Sequence, residues 1–321
     1  MSERELPGLP TAALKNRDGA LGARVVWLGE LASRRRLFAR GGALMGGGMG
    51  LILALVALPM LALVALAFAT RGTHGEIEWT LTLNNLKRLF GYGILGWSPD
   101  ILWILSRSVL VAAVTTVLCV AFAFPLAFFV ASRPPARRYA WLALIVVPML
   151  TNVVIRAYAW FPLLGMHSPL TKLAQILGFL AADEALYPSA LAVYLGQTAI
   201  NLPFAVLPLY AAVERLDPAL IDAARDLYAS RWGIFRHAIL PQVRAALAVA
   251  IVLTFVPALG AFVVPDLLGG ARGMLLGNLL QQQFFTARNW PYGAAISLML
   301  VACSVVALWY YGRTQAREAA R

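Results

Sequence analysis

What the chain has little of narrows its class before any motif is read. Charged residues are 13% of its 321 positions and hydrophobic residues 60%, whereas soluble globular domains carry about 25% charge, so a water-soluble domain is excluded. Its two cysteines, Cys119 and Cys303, lie far apart in separate apolar runs with no C-x-x-C spacing. That excludes a disulfide framework or thiolate metal centre and leaves them as packing residues. The three histidines, His74, His167 and His237, are dispersed, and neither H-E-x-x-H nor G-x-S-x-G occurs, so no residue is singled out as catalytic or metal-ligating. No G-x-x-x-x-G-K-[ST] loop is present to cradle ATP phosphates. A membrane-embedded enzyme is therefore the weaker class, to be revived only if the purified chain alone turned over a lipid or peptide. The first 30 residues also lack the apolar core and small-residue cleavage site of a secretory signal.

What is present is long runs without charge. Six stretches, about 44–69, 101–132, 139–163, 187–213, 242–265 and 291–312, are long enough for a hydrocarbon core that needs about 20 helical residues. They predict an all-α polytopic membrane protein with six transmembrane helices. Of the 27 Lys and Arg residues, 18 lie in 1–43, 133–138, 214–240 and 313–321, and six lie in 70–100, 164–186 and 266–290. That bias puts both termini and the 214–241 loop in the cytoplasm. The net charge of +12 implies contact with anionic lipid headgroups, and nucleic acid is a poor second reading. In the basic N-terminal tail, 1–43, Leu21, Val25, Leu28 and Leu31 recur at helical spacing ahead of Arg34-Arg35-Arg36. They read as an amphipathic interfacial helix over 20–37, with a disordered tail as the other reading. Residues 313–321 form a C-terminal cytoplasmic tail.

Three adjacent spans carry helix breakers and polar groups: Pro148 and Arg156 in the third, Gln197, Asn201 and Pro203 in the fourth, Pro257 and Gly260 in the fifth. Such groups fit helix packing or a water-filled route. The tentative route residues are Asn152, Arg156, Tyr158, Trp160, Asn201 and Asp266. Counted along one straight helix from Tyr139, Arg156 stands about 25 Å up, near the outer headgroups, which favours an anchoring role. Asp266 has two open readings. It is a carboxylate at the outer mouth, with Tyr158 and Trp160 offering aromatic faces to a cation; or it caps the turn before Gly269-Gly270, with the aromatics in an interface belt. Trp290 and Tyr292, and Trp309, Tyr310 and Tyr311, read as outer and inner belts, and Leu81 to Phe90 as a short surface helix.

An island of charge between two long apolar runs spans Asp217 to Pro241. Asp217 suits an N-cap, Pro218 the first helical position, Ala223-Ala224 a close approach, and Ser230 a second N-cap. The stretch reads as helix, turn, helix, the second running through Pro241 into the fifth span.

Asp222-Ala223-Ala224 and Leu240-Pro241 resemble the cytoplasmic loop of ABC importer permeases, which reads Glu-Ala-Ala, a Gly, then Leu-Pro and inserts a coupling helix into the ATPase. Departures are Asp222 for Glu, Tyr228 for Gly and Ala238 for Ile. Tyr at 228 is expected to resist a positive φ and add bulk. Pro148 through Trp160, and Val264 through Gly293 with its Asp-Leu-Leu-Gly-Gly and Asn-Trp-Pro-Tyr-Gly-Ala runs, are similar to the first permease subunit of spermidine/putrescine importers. The likeness holds in order and spacing over about 45–312. It implies a type I importer permease of the bacterial inner membrane working by alternating access. Its partners would be a second homologous permease, two ATPase subunits that hold the ATP and Mg, a periplasmic binding protein and membrane lipids, with no cofactor on this chain. The coupling residues would be Asp222, Ala223, Ala224, Asp226, Leu227, Tyr228, Leu240 and Pro241. A permease for ferric ion, sulfate or another anion is the runner-up.

The charge bias predicts a topology. Cysteines introduced by Ala136→Cys and Ser230→Cys should be shielded from a membrane-impermeant thiol reagent in intact cells, and one introduced by Ser168→Cys should be labelled. Labelling of position 230 from outside would overturn the orientation.

Overall fold

Cys119, Ala123 and Ala127 recur at helical spacing and are fully buried, which lets neighbouring backbones approach closely where lipid supplies no hydrophobic drive for association. In the computed structural model they lie on α3 (Asp100–Ala131). That helix packs against α8 (Ala190–Val213) and α11 (Leu240–Leu259). Ala205, Val206 and Leu209 of α8 and Val243 and Ala250 of α11 complete the core. Cys119 Sγ lies 3.5 Å from the Thr198 carbonyl of α8, and both cysteines are unpaired. Hydroxyls inside these helices bond back one turn, as Thr116 does to Ala112 O at 2.7 Å and Thr254 to Ala250 O at 2.8 Å.

The structure describes residues 48–73, 75–93, 96–181, 183–270 and 273–319. The interfacial helix expected over 20–37, with the rest of the 1–43 tail, lies outside them. The chain divides into two compact units, Met1–Ala62 and Leu63–Arg321. The described part of the first belongs to α1, Gly48–Ala67.

The remaining elements are short except for α14. Two small hairpins, Thr70–Arg71 with Ile77–Glu78 and Tyr92–Gly93 with Gly96–Trp97, flank α2 (Asn84–Leu89). Then come α4 (Pro135–Val146), α5 (Val153–Tyr158), α6 (Phe161–Leu164), α7 (Pro169–Ile176), α9 (Pro218–Asp226), α10 (Arg231–Ile234), α12 (Val263–Leu268), α13 (Leu276–Gln281) and α14 (Trp290–Ala319). Among the described residues five helices are long and apolar enough to cross a membrane, and the bent pair 135–150 with 153–164 makes a sixth when counted as one span.

The disruption expected at Pro148 is present, and the one expected at Pro203 is not. The third stretch is not one straight helix: α4 tightens into a 3₁₀ turn at Val147–Leu150, Thr151 is extended, and the next helix sets off at 102°. Pro148 withholds a backbone donor there, Thr151 Oγ1 bonds to Pro148 O at 2.7 Å, and Asn152 caps the new helix. The fourth stretch, by contrast, is unbroken: α8 runs through both Pro203 and Pro208, held among α3, α11 and α12. The fifth stops at Gly260 and resumes as α12. Tyr292 is no belt residue: it is 4% exposed in the core of α13 and α14, under the Arg88 guanidinium at 4.3 Å. Trp309 does stay exposed, with Arg313 over its ring at 4.2 Å.

The break at 260–262 is wedged by α13. A Cβ on Gly277 would stand 2.6 Å from Ala261 O and 2.8 Å from Gly260 O, both rigid backbone atoms. Gly277→Ala should therefore cost about 1–3 kcal/mol through overpacking, read as a lowered unfolding midpoint in detergent. An unchanged midpoint would mean that the break yields freely.

Candidate functional site

A cavity of about 300 Å³ lies where α5, which follows the break in the third stretch, meets α8 and the break in the fifth. Val153 and Arg156 of α5, Gln197, Ile200, Asn201 and Phe204 of α8, and Pro257 through Val264 line it, Ala258 and Leu259 excepted. Helix periodicity places Gln197 and Asn201, four apart, on one face of α8. Asn201 Nδ2 donates to the Gln197 carbonyl at 2.8 Å and to Gln197 Oε1 at 3.1 Å. Gln197 is 1% exposed, and its Nε2 has no partner among the described residues; the same holds for Arg156 Nε. A buried donor left unpaired costs about 1–3 kcal/mol, so Gln197 and Arg156 are the lining side chains with bonding capacity left over.

The fifth-stretch wall is fixed by side chains from elsewhere. Asn278 Nδ2 donates to Phe262 O at 3.0 Å, and Ser108 Oγ of α3 accepts from Leu276 N at 2.7 Å. On the other flank α12 packs tightly on α8, since a Cβ on Gly196 would meet Leu268 and Val264 side chains at 2.6 and 2.9 Å.

The six tentative route residues are scattered by these facts. Only Arg156 and Asn201 line the cavity. The 102° bend before Arg156 removes the premise of the straight-helix height that favoured a headgroup anchor. Asn152 is the N-cap of α5, accepting from Val154 N at 2.8 Å. Trp160 packs into the core around Ala157, Val193 and Leu268. Tyr158 is half exposed, edge-on to Phe161 with centroids 5.1 Å apart. Asp266 is exposed in the first turn of α12 and makes no capping bond. The turn at Gly269-Gly270 is closed instead by Gly269 N donating to Pro265 O at 2.9 Å, with Gly270 at φ 63°. Gln197, not chosen from sequence as a route residue, is the most buried polar group in the lining. Its place beside Asn201 at i, i+4 was the available signal.

The second candidate region is the loop between α8 and α11. Asp217 caps α9 by accepting from Ala219 N at 2.9 Å, and Gln242 Oε1 of α11 receives Asp217 N at 3.0 Å. Arg138 joins the α3–α4 turn to Glu214 at 3.0 Å, just before α9. On α9, Asp222 pairs with Arg225 at 2.9 Å, and Ala223, Asp226 and Leu227 are exposed while Ala224 is partly covered. Ser230 caps α10 by accepting from Gly233 N at 3.1 Å. Pro241 has no N–H to give to the turn before it, and that turn, Phe235–Ile239, widens into a π-helix ahead of Leu240.

At Tyr228 the expected resistance to positive φ is overcome: φ is 55°. Tyr228 N donates to Arg225 O at 2.9 Å and Ala229 N to Ala224 O at 3.1 Å, the bond pair that ends a helix on a left-handed residue. Left-handed backbone costs a non-glycine residue roughly 1–2 kcal/mol.

A family described as "Binding-protein-dependent transport system inner membrane component" matches residues 26–318. The chain is 33% identical over 258 residues to the spermidine/putrescine transport system permease protein PotB of Haemophilus influenzae, covering 80% of this chain and 88% of that protein. It is 34% identical over 265 residues to PotB of Escherichia coli K12, covering 83% and 94%. In structure it resembles a chain of a bacterial ABC transporter involved in the import of the acidic polysaccharide alginate, with a TM-score of 0.62 over 90% of this chain and 99% of that one. At 16% identity that likeness speaks to the fold alone.

Gln197→Met keeps the side-chain length while removing the unpaired amide. It should leave the unfolding midpoint unchanged or raised and lower transport severalfold, the trade expected where a site holds polarity for function. A fall in the midpoint with transport intact would make Gln197 a packing residue.

Proposed function

From the premise that the chain belongs to the family of binding-protein-dependent transport system inner membrane components, we propose that it is the permease subunit of an ATP-driven polyamine importer. The observation that carries the substrate is the 33–34% identity to spermidine/putrescine permeases along four-fifths or more of both chains. In this reading a periplasmic binding protein delivers the solute, a second homologous permease faces this one, and two ATPase subunits dock on 214–241. The ATPases hold the ATP and Mg, and this chain has no catalytic site of its own.

Geometry suggests how each part acts. The cavity is where the solute passes this subunit. No carboxylate is among the described residues lining it, and Arg156 is. An ammonium would thus be repelled from this wall and recognised by the facing subunit, while Gln197 and Asn201 offer neutral amides. The exposed α9, capped at both ends, is where ATPase motion enters, and Ala223-Ala224 allow its close seating. Asp266, exposed at the start of α12, lies away from the cavity lining and can contribute only a diffuse attraction for cations.

The same lining favours one competing reading. Arg156 and the unpaired Gln197 amide are donors, and donors suit an anion. Uptake of labelled spermidine and putrescine, in cells carrying the intact operon but no other polyamine importer, separates the two. Unlabelled polyamines should compete, and sulfate or ferric complexes should not; competition by sulfate alone would replace the polyamine reading with the anion one. Ala224→Arg should abolish uptake and release the ATPase from the membrane while binding-protein delivery is untouched. Normal uptake with full ATPase retention would sink the docking role.

A further inference from the structure

Tyr228 holds a left-handed backbone conformation that glycine adopts without strain, with φ at 55°. Both hydrogen bonds that close α9 there use backbone atoms, so glycine would make them equally well. Among the described residues nothing repays the tyrosine, which is 97% exposed. Backbone strain that persists without an internal return points to an external one.

The neighbours of Tyr228 share this exposure. Leu227 is 81% and Trp232 67% exposed, so three large apolar side chains project from one turn on a strongly charged loop. Trp232 is anchored from below. Trp232 stacks on Phe235 with centroids 5.4 Å apart and planes at 22°, and Phe235 meets Phe124 of α3 edge-on at 5.5 Å. The charged neighbours stay exposed: Asp222 and Arg225 pair with each other, and Asp226 and Arg231 flank the three side chains in sequence. Within that charged rim the outward side chains are aromatic and aliphatic, the composition of residues that dominate binding energy at interface centres.

We propose that Tyr228, flanked by Leu227 and Trp232, is an apolar knob that enters a ring-sized apolar cleft on the ATPase subunit. This rests on the reading of 214–241 as the coupling loop and names the chemistry of its partner surface. The knob acts beside the close seating of Ala223-Ala224: the alanines set how near α9 comes, and the ring sets which cleft it fits. Tyr in place of Gly thereby tunes the choice of ATPase at the expense of a relaxed turn.

The test uses the reconstituted importer with its own ATPase subunit titrated onto the membrane complex. Tyr228→Gly should weaken ATPase binding by about 10–30-fold while amide hydrogen exchange across 224–229 slows, because the turn is relaxed. Tyr228→Phe should bind within about twofold of the parent, and Tyr228→Lys should bind no better than Tyr228→Gly. If Tyr228→Gly binds as well as the parent while Ala224→Arg does not, the knob is overturned and the coupling loop stands. If neither variant weakens binding, the coupling reading fails as well. Slowed exchange with unchanged affinity would likewise reduce Tyr228 to a strained turn residue and overturn the proposal.

Discussion

Asn278 Nδ2 donating to the Phe262 carbonyl at 3.0 Å is the bond on which the interior depends. A backbone group without a partner at membrane depth costs several kcal/mol, so a span can stop being helical only where another element supplies the missing bond. Here Asp266 N of α12 donates to the Phe262 carbonyl at 2.9 Å and Asn278 of α13 adds a second bond to it, and Gly277 lets α13 approach until a single methyl group would collide with residues 260 and 261. Ser108 Oγ, receiving Leu276 N at 2.7 Å, ties α13 in turn to α3. With the break held this way, α12 can lie against α8, and the space between the bend at Thr151 and the break at Gly260 stays open as a cavity.

Reading from sequence succeeded where the physics is local. Charge-free runs of spanning length, Asp217 and Ser230 as N-caps, Pro218 at a first turn and Pro148 as a disruption each depend on a few neighbouring residues. The same method failed where a distant residue decides. Whether a proline breaks a span depends on what surrounds it: α8 absorbs Pro203 and Pro208 among packed helices, while the stretch with Pro148 turns through 102°. The height assigned to Arg156 assumed one straight helix, and the bend undid it. Tyr292 looked like a belt residue because amphipathic rings at span ends usually are, yet Arg88, some two hundred positions earlier, covers its ring. Tyr228 is the converse case, where a residue-type argument against positive φ lost to two backbone hydrogen bonds that the helix end requires.

The lining also separates two roles that composition alone would merge. A basic chain rich in aromatics invites the idea that its aromatic faces hold a cation, but Tyr158 and Trp160 are engaged with Phe161 and the core around Ala157. The aromatic residues that do line the cavity are Phe204 and Phe262, and its polar side chains are a guanidinium and two amides. In a medium of low effective dielectric a guanidinium a few ångströms from an ammonium raises its energy by several kcal/mol. A polycation therefore cannot settle on this wall, and a transporter needs its solute held loosely enough to leave.

The cavity and the coupling loop are joined by the stiffest parts of the molecule. From Asn201 to the end of α8 at Val213 is 12 residues, about 18 Å of helix, and from Gln242 to Gly260 along α11 is about 27 Å. Between those two helices in sequence lies α9, bound to α11 through Gln242, and just before it the end of α8 is tied to α4 through the Glu214–Arg138 pair. Phe235 adds a third tie, to Phe124 of α3. A load applied to α9 thus reaches α3, α8 and α11 together, the three helices that share one close-packed core of small residues. Such a core resists shear among its members more than rotation of the whole. The part free to respond is the margin where α11 ends at Gly260, and that margin is the cavity wall opposite Arg156.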